Sequence, residues 1–240
     1  MNLKLLCIVF TLSTCAITTN AQTQFSGWLA TFESVKLGKH TSISADAQLR
    51  SSDDVEHVAT LLLRAGFTYH ATKKIQLTTG YAFVHNRRVV SGTSGYVDEH
   101  RIWEQLIYNH KAGPVNLTHR LRLEQRFIGK AVPDGDDLKR NGHAYANRFR
   151  YFIRNLLPFR AQSDFKKGMF AALQDEAFLN VGNKANVNGK TFDQNRLYVA
   201  IGYRVSREFD VEAGYLNQYI SGVTGRTLNH VAQAAVYFRL

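Results

Sequence analysis

The chain has little that could form covalent cross-links or thiolate metal sites. Its only two cysteines, Cys7 and Cys15, lie in the first 15 residues. If this segment is removed on export, the mature protein contains no cysteine. A disulfide-stapled secreted domain, thiol catalysis and thiolate metal ligation are then excluded.

Long apolar runs and prolines are also scarce. No stretch after the N-terminus approaches the roughly 18 consecutive apolar residues of a membrane-spanning helix, so such a helix is excluded. The three prolines, Pro114, Pro133 and Pro158, lie between patterned segments. Hydrophobic residues still make up 45% of the chain, and this composition argues against disorder.

The N-terminal sequence MNLKLLCIVFTLSTCAITTNA has the pattern of a signal peptide. Lys4 precedes a short apolar run, and small residues lie at Thr19 and Ala21. We expect cleavage after Ala21, which divides the chain into a signal peptide (1–21) and one domain (22–240). A lipoprotein signal ending at Cys15 is the minor alternative, because Thr14 fits poorly before that cysteine.

The chain carries 30 basic and 19 acidic residues, a net charge of +11. Loss of Lys4 with the signal peptide lowers this charge to +10. A nucleic-acid-binding surface concentrates its basic residues on one face, loop or helix. Here they are spread along the whole length, so nucleic acid is not a predicted partner.

Alternation with a period of two residues dominates the rest of the chain. In HRLRLEQRF (119–127), Leu121, Leu123 and Phe127 fall on one face of a strand, whereas three arginines and Glu124 fall on the other. Eleven such runs occur, of about ten to thirteen residues each: 25–36, 41–50, 58–69, 75–86, 99–110, 115–127, 143–154, 167–180, 192–204, 209–219 and 228–240.

These runs are longer than the roughly five or six residues usual in soluble sheets, and they match the nine to eleven of a strand crossing a bilayer obliquely. Short turns alternate with longer polar loops, which include 87–98 and 128–142. The sequence therefore predicts an all-β, transmembrane, antiparallel up-and-down β-barrel in the outer membrane. Single-chain bacterial barrels have even strand numbers, so we expect ten to twelve strands, with either the first run not spanning or another strand hidden in 155–167. The alternative is a soluble secreted barrel with its apolar face inward.

The polar face of the runs predicts a charged lumen. Two interpretations remain open: a packed core in which arginines pair with carboxylates, and a small passive pore that favours small anionic solutes. The predicted lumen-lining residues are Arg64, Arg101, Gln105, Arg120, Arg122, Glu124, Arg126, Arg148, Arg150, Arg154, Glu176, Arg196, Arg204 and Glu212.

No residue pattern predicts catalysis, a cofactor or a metal. His40-Thr41-Ser42 resembles the His-x-Ser pair of lipid-acting outer-membrane hydrolases, but it lies at a predicted periplasmic turn. The scattered histidines show no metal-ligand spacing. An adhesion or scaffold barrel, with interactions carried by its long loops, is the other alternative to a pore or an envelope structural protein.

Several short stretches resemble a family of Gram-negative, Bacteroidetes-type outer-membrane β-barrels known only as a domain of unknown function. They are EHRIWEQ (99–105), RLRLEQR (120–126), RFRY (148–151), DEAFLN (175–180), FDQNRL (192–197) and GYLNQ (214–218). The resemblance implies an outer-membrane barrel and no known activity. Its expected partners are outer-membrane lipid, lipopolysaccharide and the barrel-assembly machinery, which would read the terminal VYFRL.

Overall fold

A computed structural model describes residues 21–52, 54–160 and 164–240. Across these residues the chain forms eleven β-strands, and the described part contains no helix that is long and apolar enough to cross a membrane. The strands are β1 (Ala21–Lys36), β2 (Thr41–Ser52), β3 (His57–His70), β4 (Ile75–Val90), β5 (Thr93–Ala112), β6 (Val115–Asp134), β7 (Asp137–Pro158), β8 (Gly168–Val181), β9 (Phe192–Arg204), β10 (Phe209–Ser221) and β11 (Arg226–Arg239).

The strands form one closed barrel in which each pairs with its neighbours in the sequence. All of these pairs are antiparallel except the closing pair, β1 with β11, which is parallel and runs from Ala21↔Arg226 to Ser34↔Arg239. The parallel seam follows from the odd strand number, because in an up-and-down barrel the first and last of eleven strands point the same way. Both β1 and β11 end at the short-turn end of the barrel.

The predicted all-β barrel is confirmed, and its eleven strands correspond to the eleven runs in the sequence. The count lies within the expected ten to twelve strands, but the expectation of an even number was wrong, and the closing pair is parallel. Both expected ways of reaching an even number were also wrong. Residues 155–167 hide no further strand among those described, because β7 simply continues to Pro158. The first run does form a full strand. The predicted signal peptide lies outside the described residues, apart from Ala21, and stays a prediction.

Two segments predicted as loops are extended hairpins. Residues 87–98 belong to β4 and β5, which are joined by a tight turn at Ser91 and Gly92, both with positive φ. Residues 128–142 likewise belong to β6 and β7. Sequence periodicity failed here because the polar residues of these hairpins occupy both faces. The two hairpins pack together, because a Cβ added at Gly95 of β5 would lie 3.0 Å from Leu138 Cβ of β7.

The two faces of the barrel wall differ sharply in chemistry. Apolar side chains point outward and remain exposed, as shown by Leu29 at 60% and Ile201 at 56%. The alternate positions point inward, where Glu124 is only 1% exposed. Because side chains alternate along a strand, the period-two pattern of the sequence produces this division directly.

Aromatic and histidine rings stack on the outer surface in two groups. Near the short turns, His110 and His119 stack at 5.2 Å, and His119 Nδ1 lies 2.9 Å from the Tyr151 hydroxyl. Toward the other end, His85 stacks on Tyr96 at 4.7 Å. The members of each group come from different strands and meet only through the register.

We predict that cysteines at Leu29 and Ala234 will form a disulfide. These positions are register partners across the β1–β11 seam, and both point outward. Leu29→Cys with Ala234→Cys should therefore oxidise readily and change mobility on a non-reducing gel. The expected yield is high because, apart from Cys7 and Cys15, the chain has no competing thiol.

A pair at Phe25 and Ala234 is the matched control. Phe25 is the register partner of His230, so its distance from position 234 exceeds the reach of a disulfide. Efficient cross-linking of this control pair, with none at 29 and 234, would contradict the parallel seam.

Candidate functional site

The fourteen predicted lumen-lining residues all lie on the inward face, where the structure brings them together as one connected set of charges. Nine of them are buried, and the other five are partly exposed: Gln105, Arg120, Arg154, Arg196 and Arg204. We refer to the inward charges at mid-height as the arginine layer. Its members among the described residues are Arg50, Arg64, Arg101, Arg120, Arg122, Arg126, Arg148, Arg150 and Arg196, with Asp46, Glu99, Glu124, Glu176 and Asp193.

Glu124 is the centre of this layer. Its Oε2 accepts hydrogen bonds from Nη2 of Arg148 at 2.6 Å and from Nε of the same residue at 3.0 Å. Its Oε1 accepts one from Nη1 of Arg150 at 2.5 Å. Because Arg148 lies directly opposite Glu124 on β7, this pairing is set by the strand register.

Other carboxylates extend the layer around the barrel. Glu176 Oε1 accepts from Nη2 of both Arg120 and Arg150 at 2.7 Å. Glu99 Oε1 accepts from Nε of Arg101 and of Arg126, each at 2.6 Å. Asp46 binds Arg64 with two hydrogen bonds of 2.8 and 2.9 Å. Each acid is thus surrounded by guanidinium forks, the geometry that makes such pairs strong.

The register also places like charges opposite each other. Arg101 lies opposite Arg126 across β5 and β6, and Arg122 lies opposite Arg150 across β6 and β7. Directly opposed like charges destabilise a sheet. The carboxylates Glu99 and Glu124 lie diagonally between these pairs and bind across them. Removing one carboxylate would therefore expose two or more arginines to mutual repulsion.

Trp103 fixes the arginine layer from the side. Its indole lies flat over Gly66 and Gly80, where an added Cβ on Gly66 would come within 2.6 Å of the ring. Arg122 stacks over the same ring at 4.5 Å and donates to Gln105 Oε1 at 2.6 Å. Sequence reasoning missed Trp103 as an interior residue of importance. The glycines on two adjacent strands were the available signal, because glycine inside a strand marks close approach.

A second set of contacts closes the barrel near its short turns. Arg204 binds Asp210 through two hydrogen bonds of 2.8 and 2.9 Å, and its Nη1 donates to the Phe165 carbonyl at 2.9 Å. Phe165 folds in from the β7–β8 connection and meets Phe170 edge-on at 6.1 Å. We call Phe165, Phe170, Tyr198 and Leu216 the apolar plug, and all four are buried.

Two cavities in the described part of the barrel adjoin the arginine layer. One, of about 470 Å³, extends from the arginine layer to the long connections and is bounded there by the exposed residues Arg88 and Asn186. The other, of about 330 Å³, lies between the layer and the apolar plug. Arg50, Arg64, Arg150 and Arg196 line both, so the layer itself separates them. The arginine layer thus crosses the interior between these two cavities, and a further cavity of about 850 Å³ reaches Arg154, Phe165 and Arg204 from the short-turn end.

The serine of His40-Thr41-Ser42 does not contact the histidine of that tripeptide. Ser42 is buried on the inward face, and its Oγ lies 2.9 Å from Nε2 of His70 on the neighbouring strand. His40 Nδ1 instead lies 3.4 Å from the His70 carbonyl oxygen. The described residues contain no group of three or more histidine, cysteine or acidic side chains that could hold a metal ion.

The geometry defines a class of protein: a closed β-barrel with an apolar outer face and an interior packed by arginine and carboxylate. The chain belongs to the family described as "Protein of unknown function (DUF2490)", whose model matches residues 25–229. The expected family of barrels with unknown function is thus confirmed. The match begins within β1 and ends within the first four residues of β11.

Other comparisons add little. No curated protein matches the chain by sequence. Among solved structures, the siderophore receptor PirA from Pseudomonas aeruginosa is similar, with a TM-score of 0.31 and 11% identity over 77% of this chain. The chain covers only 32% of that receptor's length. A likeness at this level indicates nothing about a ligand.

We predict that Glu124→Gln will destabilise the barrel by about 3–5 kcal/mol. The substitution removes the charge that compensates Arg148 and Arg150, and those guanidiniums stay charged because arginine does not deprotonate in proteins. The free energy of unfolding, measured in urea on the detergent-refolded protein, would show the loss.

Glu104→Gln on the adjacent strand is the control. Glu104 points outward, and its Oε2 accepts a hydrogen bond from Gln125 Nε2 at 3.1 Å. Its loss should leave stability unchanged or raise it. Equal effects of the two substitutions would show that the arginine layer does not hold the barrel together.

Proposed function

We propose that the protein is an integral β-barrel of the outer membrane, without enzymatic activity, whose charged interior makes it a closed envelope barrel rather than an open pore. The observation that carries this proposal is the division of the wall into an exposed apolar outside and a buried ionic inside. A protein dissolved in water gains nothing by that arrangement, whereas hydrocarbon requires it.

The outer surface supports this proposal by its extent. Exposed large hydrophobic side chains occur on every strand, including Phe67, Leu77, Leu121, Val199 and Tyr215. Soluble monomers rarely expose continuous apolar patches beyond a few hundred Å². The stacked tyrosine and histidine rings near both ends fit the aromatic girdles of barrels at membrane interfaces.

Carboxylates interrupt the apolar outside at several positions, and Glu104 and Asp175 are the ones near the middle of their strands. Glu104 contacts Gln125, and Asp175 accepts a hydrogen bond from Asn195 Nδ2 at 2.7 Å. Each charge is therefore bound by an amide on a neighbouring strand. Acidic residues on a lipid-facing surface cost less than basic ones, and the cost falls toward the interface. The two pairs are compatible with a membrane setting.

The lumen supports a closed barrel. Arginines and carboxylates from β2, β3, β5, β6, β7 and β8 meet across the interior, and the apolar plug packs next to them toward the short turns. A small anion-selective pore is the second candidate, favoured by the nine arginines and five carboxylates of the arginine layer. The expected partners are outer-membrane lipid and lipopolysaccharide, with the barrel-assembly machinery during insertion.

The first experiment is single-channel recording on the refolded protein in a planar bilayer, with insertion checked by heat-modifiable mobility on gels. A closed barrel should insert and show no steady conductance. Its circular dichroism should be that of β-structure, and it should require detergent or lipid to stay soluble.

A triple variant tests whether lumen arginines determine any conductance. It combines Arg120→Gln, Arg122→Gln and Arg126→Gln. If the wild-type protein forms steady channels that prefer anions and the triple variant forms none, the pore would replace the closed barrel as the proposed function. A protein that stays monodisperse in water without detergent would contradict the membrane proposal altogether and favour a soluble barrel.

A further inference from the structure

Two arginines of the arginine layer have no acidic partner. Among the residues the structure describes, neither Arg50 nor Arg196 has a carboxylate within 4.0 Å, unlike the other members. Arg50 Nη2 donates to Gln48 Oε1 at 2.6 Å, and Arg196 Nη2 donates to Gln194 Oε1 at 3.4 Å. The Nε atoms of both are buried and have no hydrogen-bond partner.

These two guanidiniums converge on one ring. Arg50 lies 4.2 Å and Arg196 lies 5.0 Å from the centre of the Trp28 ring, although the arginines come from β2 and β9. Cation–π contact stabilises each of them in part. It does not cancel the repulsion between two enclosed positive charges, which an anion between them would offset.

A cavity stands next to this pair. The cavity of about 470 Å³ is lined by both arginines and by the amides of Asn188, Gln194 and Gln218. That volume is within the usual range for small-ligand sites, about 300–1,000 Å³. The carboxylates in its wall are already paired: Glu99 with Arg126 and Arg101, and Asp193 with Arg148 Nη1 at 3.1 Å.

The entrance of the cavity is preformed. The β8–β9 connection is tied down by Asn186 Nδ2 donating to the Tyr145 carbonyl at 2.8 Å and by Asn188 Nδ2 donating to the Ser221 carbonyl at 2.7 Å. Lys190 Nζ donates to the Gly222 carbonyl at 2.8 Å. Because this connection is already held in place, ligand binding costs less conformational entropy.

We propose that this cavity binds a small soluble oxyanion, a phosphate, sulfate or carboxylate group, held between Arg50 and Arg196. Guanidinium forks bind such groups through paired hydrogen bonds, and both arginines line this cavity. The barrel wall separates the cavity from any surrounding lipid, so the ligand is a free solute entering from the long-connection end. The site needs only the closed barrel and is independent of membrane location and conductance.

The test is titration of the detergent-refolded protein with inorganic phosphate at constant ionic strength, by calorimetry and by thermal unfolding. Phosphate should bind saturably and raise the melting temperature, because a ligand that binds only the folded state stabilises it. Arg50→Gln combined with Arg196→Gln should weaken binding at least tenfold and abolish the phosphate-dependent rise.

Lys130→Gln combined with Arg140→Gln is the matched control. Both residues are exposed on the β6–β7 hairpin, so the double variant loses the same charge away from the cavity and should keep wild-type affinity. An equal loss of phosphate affinity in both double variants would show that net charge alone accounts for the effect. If chloride raised the melting temperature by the same amount as phosphate, salt screening would account for the effect. Either result would overturn the site.

Arg50→Lys and Arg196→Lys provide a second readout if the double glutamine variant does not fold. Lysine keeps the charge but lacks the planar fork, so each single variant should bind phosphate several-fold more weakly while retaining folded mobility on gels. Wild-type affinity in both would contradict the site. Because phosphate binding is read in detergent, failure of bilayer insertion would leave this result unaffected.

Discussion

The pairing of Glu124 with Arg148 and Arg150 is the constraint on which the rest of the interior depends. An arginine cannot shed its charge, so enclosing one in a barrel requires an anion at hydrogen-bond distance. Glu124 meets that requirement for two arginines at once. Glu99 and Glu176 do the same for their neighbours, and the strand register that aligns Glu124 with Arg148 thereby also sets the charge pairing of the interior.

The charged interior also helps to select the register in which neighbouring strands pair. A strand whose outer face is uniformly apolar can slide by two residues without changing what faces outward. On β6, such a slip would move Glu124 away from Arg148 and bring Arg122 or Arg126 opposite it instead. The ionic inside therefore specifies pairing where the apolar outside cannot. Trp103 also restricts the register, because its ring lies against Gly66 and Gly80, where an added Cβ would collide with it.

Alternation in the sequence predicted the barrel and the inward face because both follow from local geometry. The polar residues of HRLRLEQRF could only share one face of a strand. The strand count and closure were less accessible, since β1 pairs with β11 through contacts more than 200 residues apart. The extended hairpins at 87–98 and 128–142 were read as loops, because polarity there lacks a period. Which arginine binds which carboxylate depends on register and was beyond reach.

The stretches that identify the family supply much of the arginine layer. EHRIWEQ carries Glu99 and Arg101, RLRLEQR carries Glu124, and FDQNRL carries both Asp193 and Arg196. If the layer only filled space, its charges could balance, and arginine with no acid would be a needless cost. Among the described residues, Arg50 and Arg196 instead have no carboxylate within 4.0 Å, and they lie beside a preformed cavity. The same layer that holds the wall in register thus leaves positive charge at one place, which is the chemistry an anion would recognise.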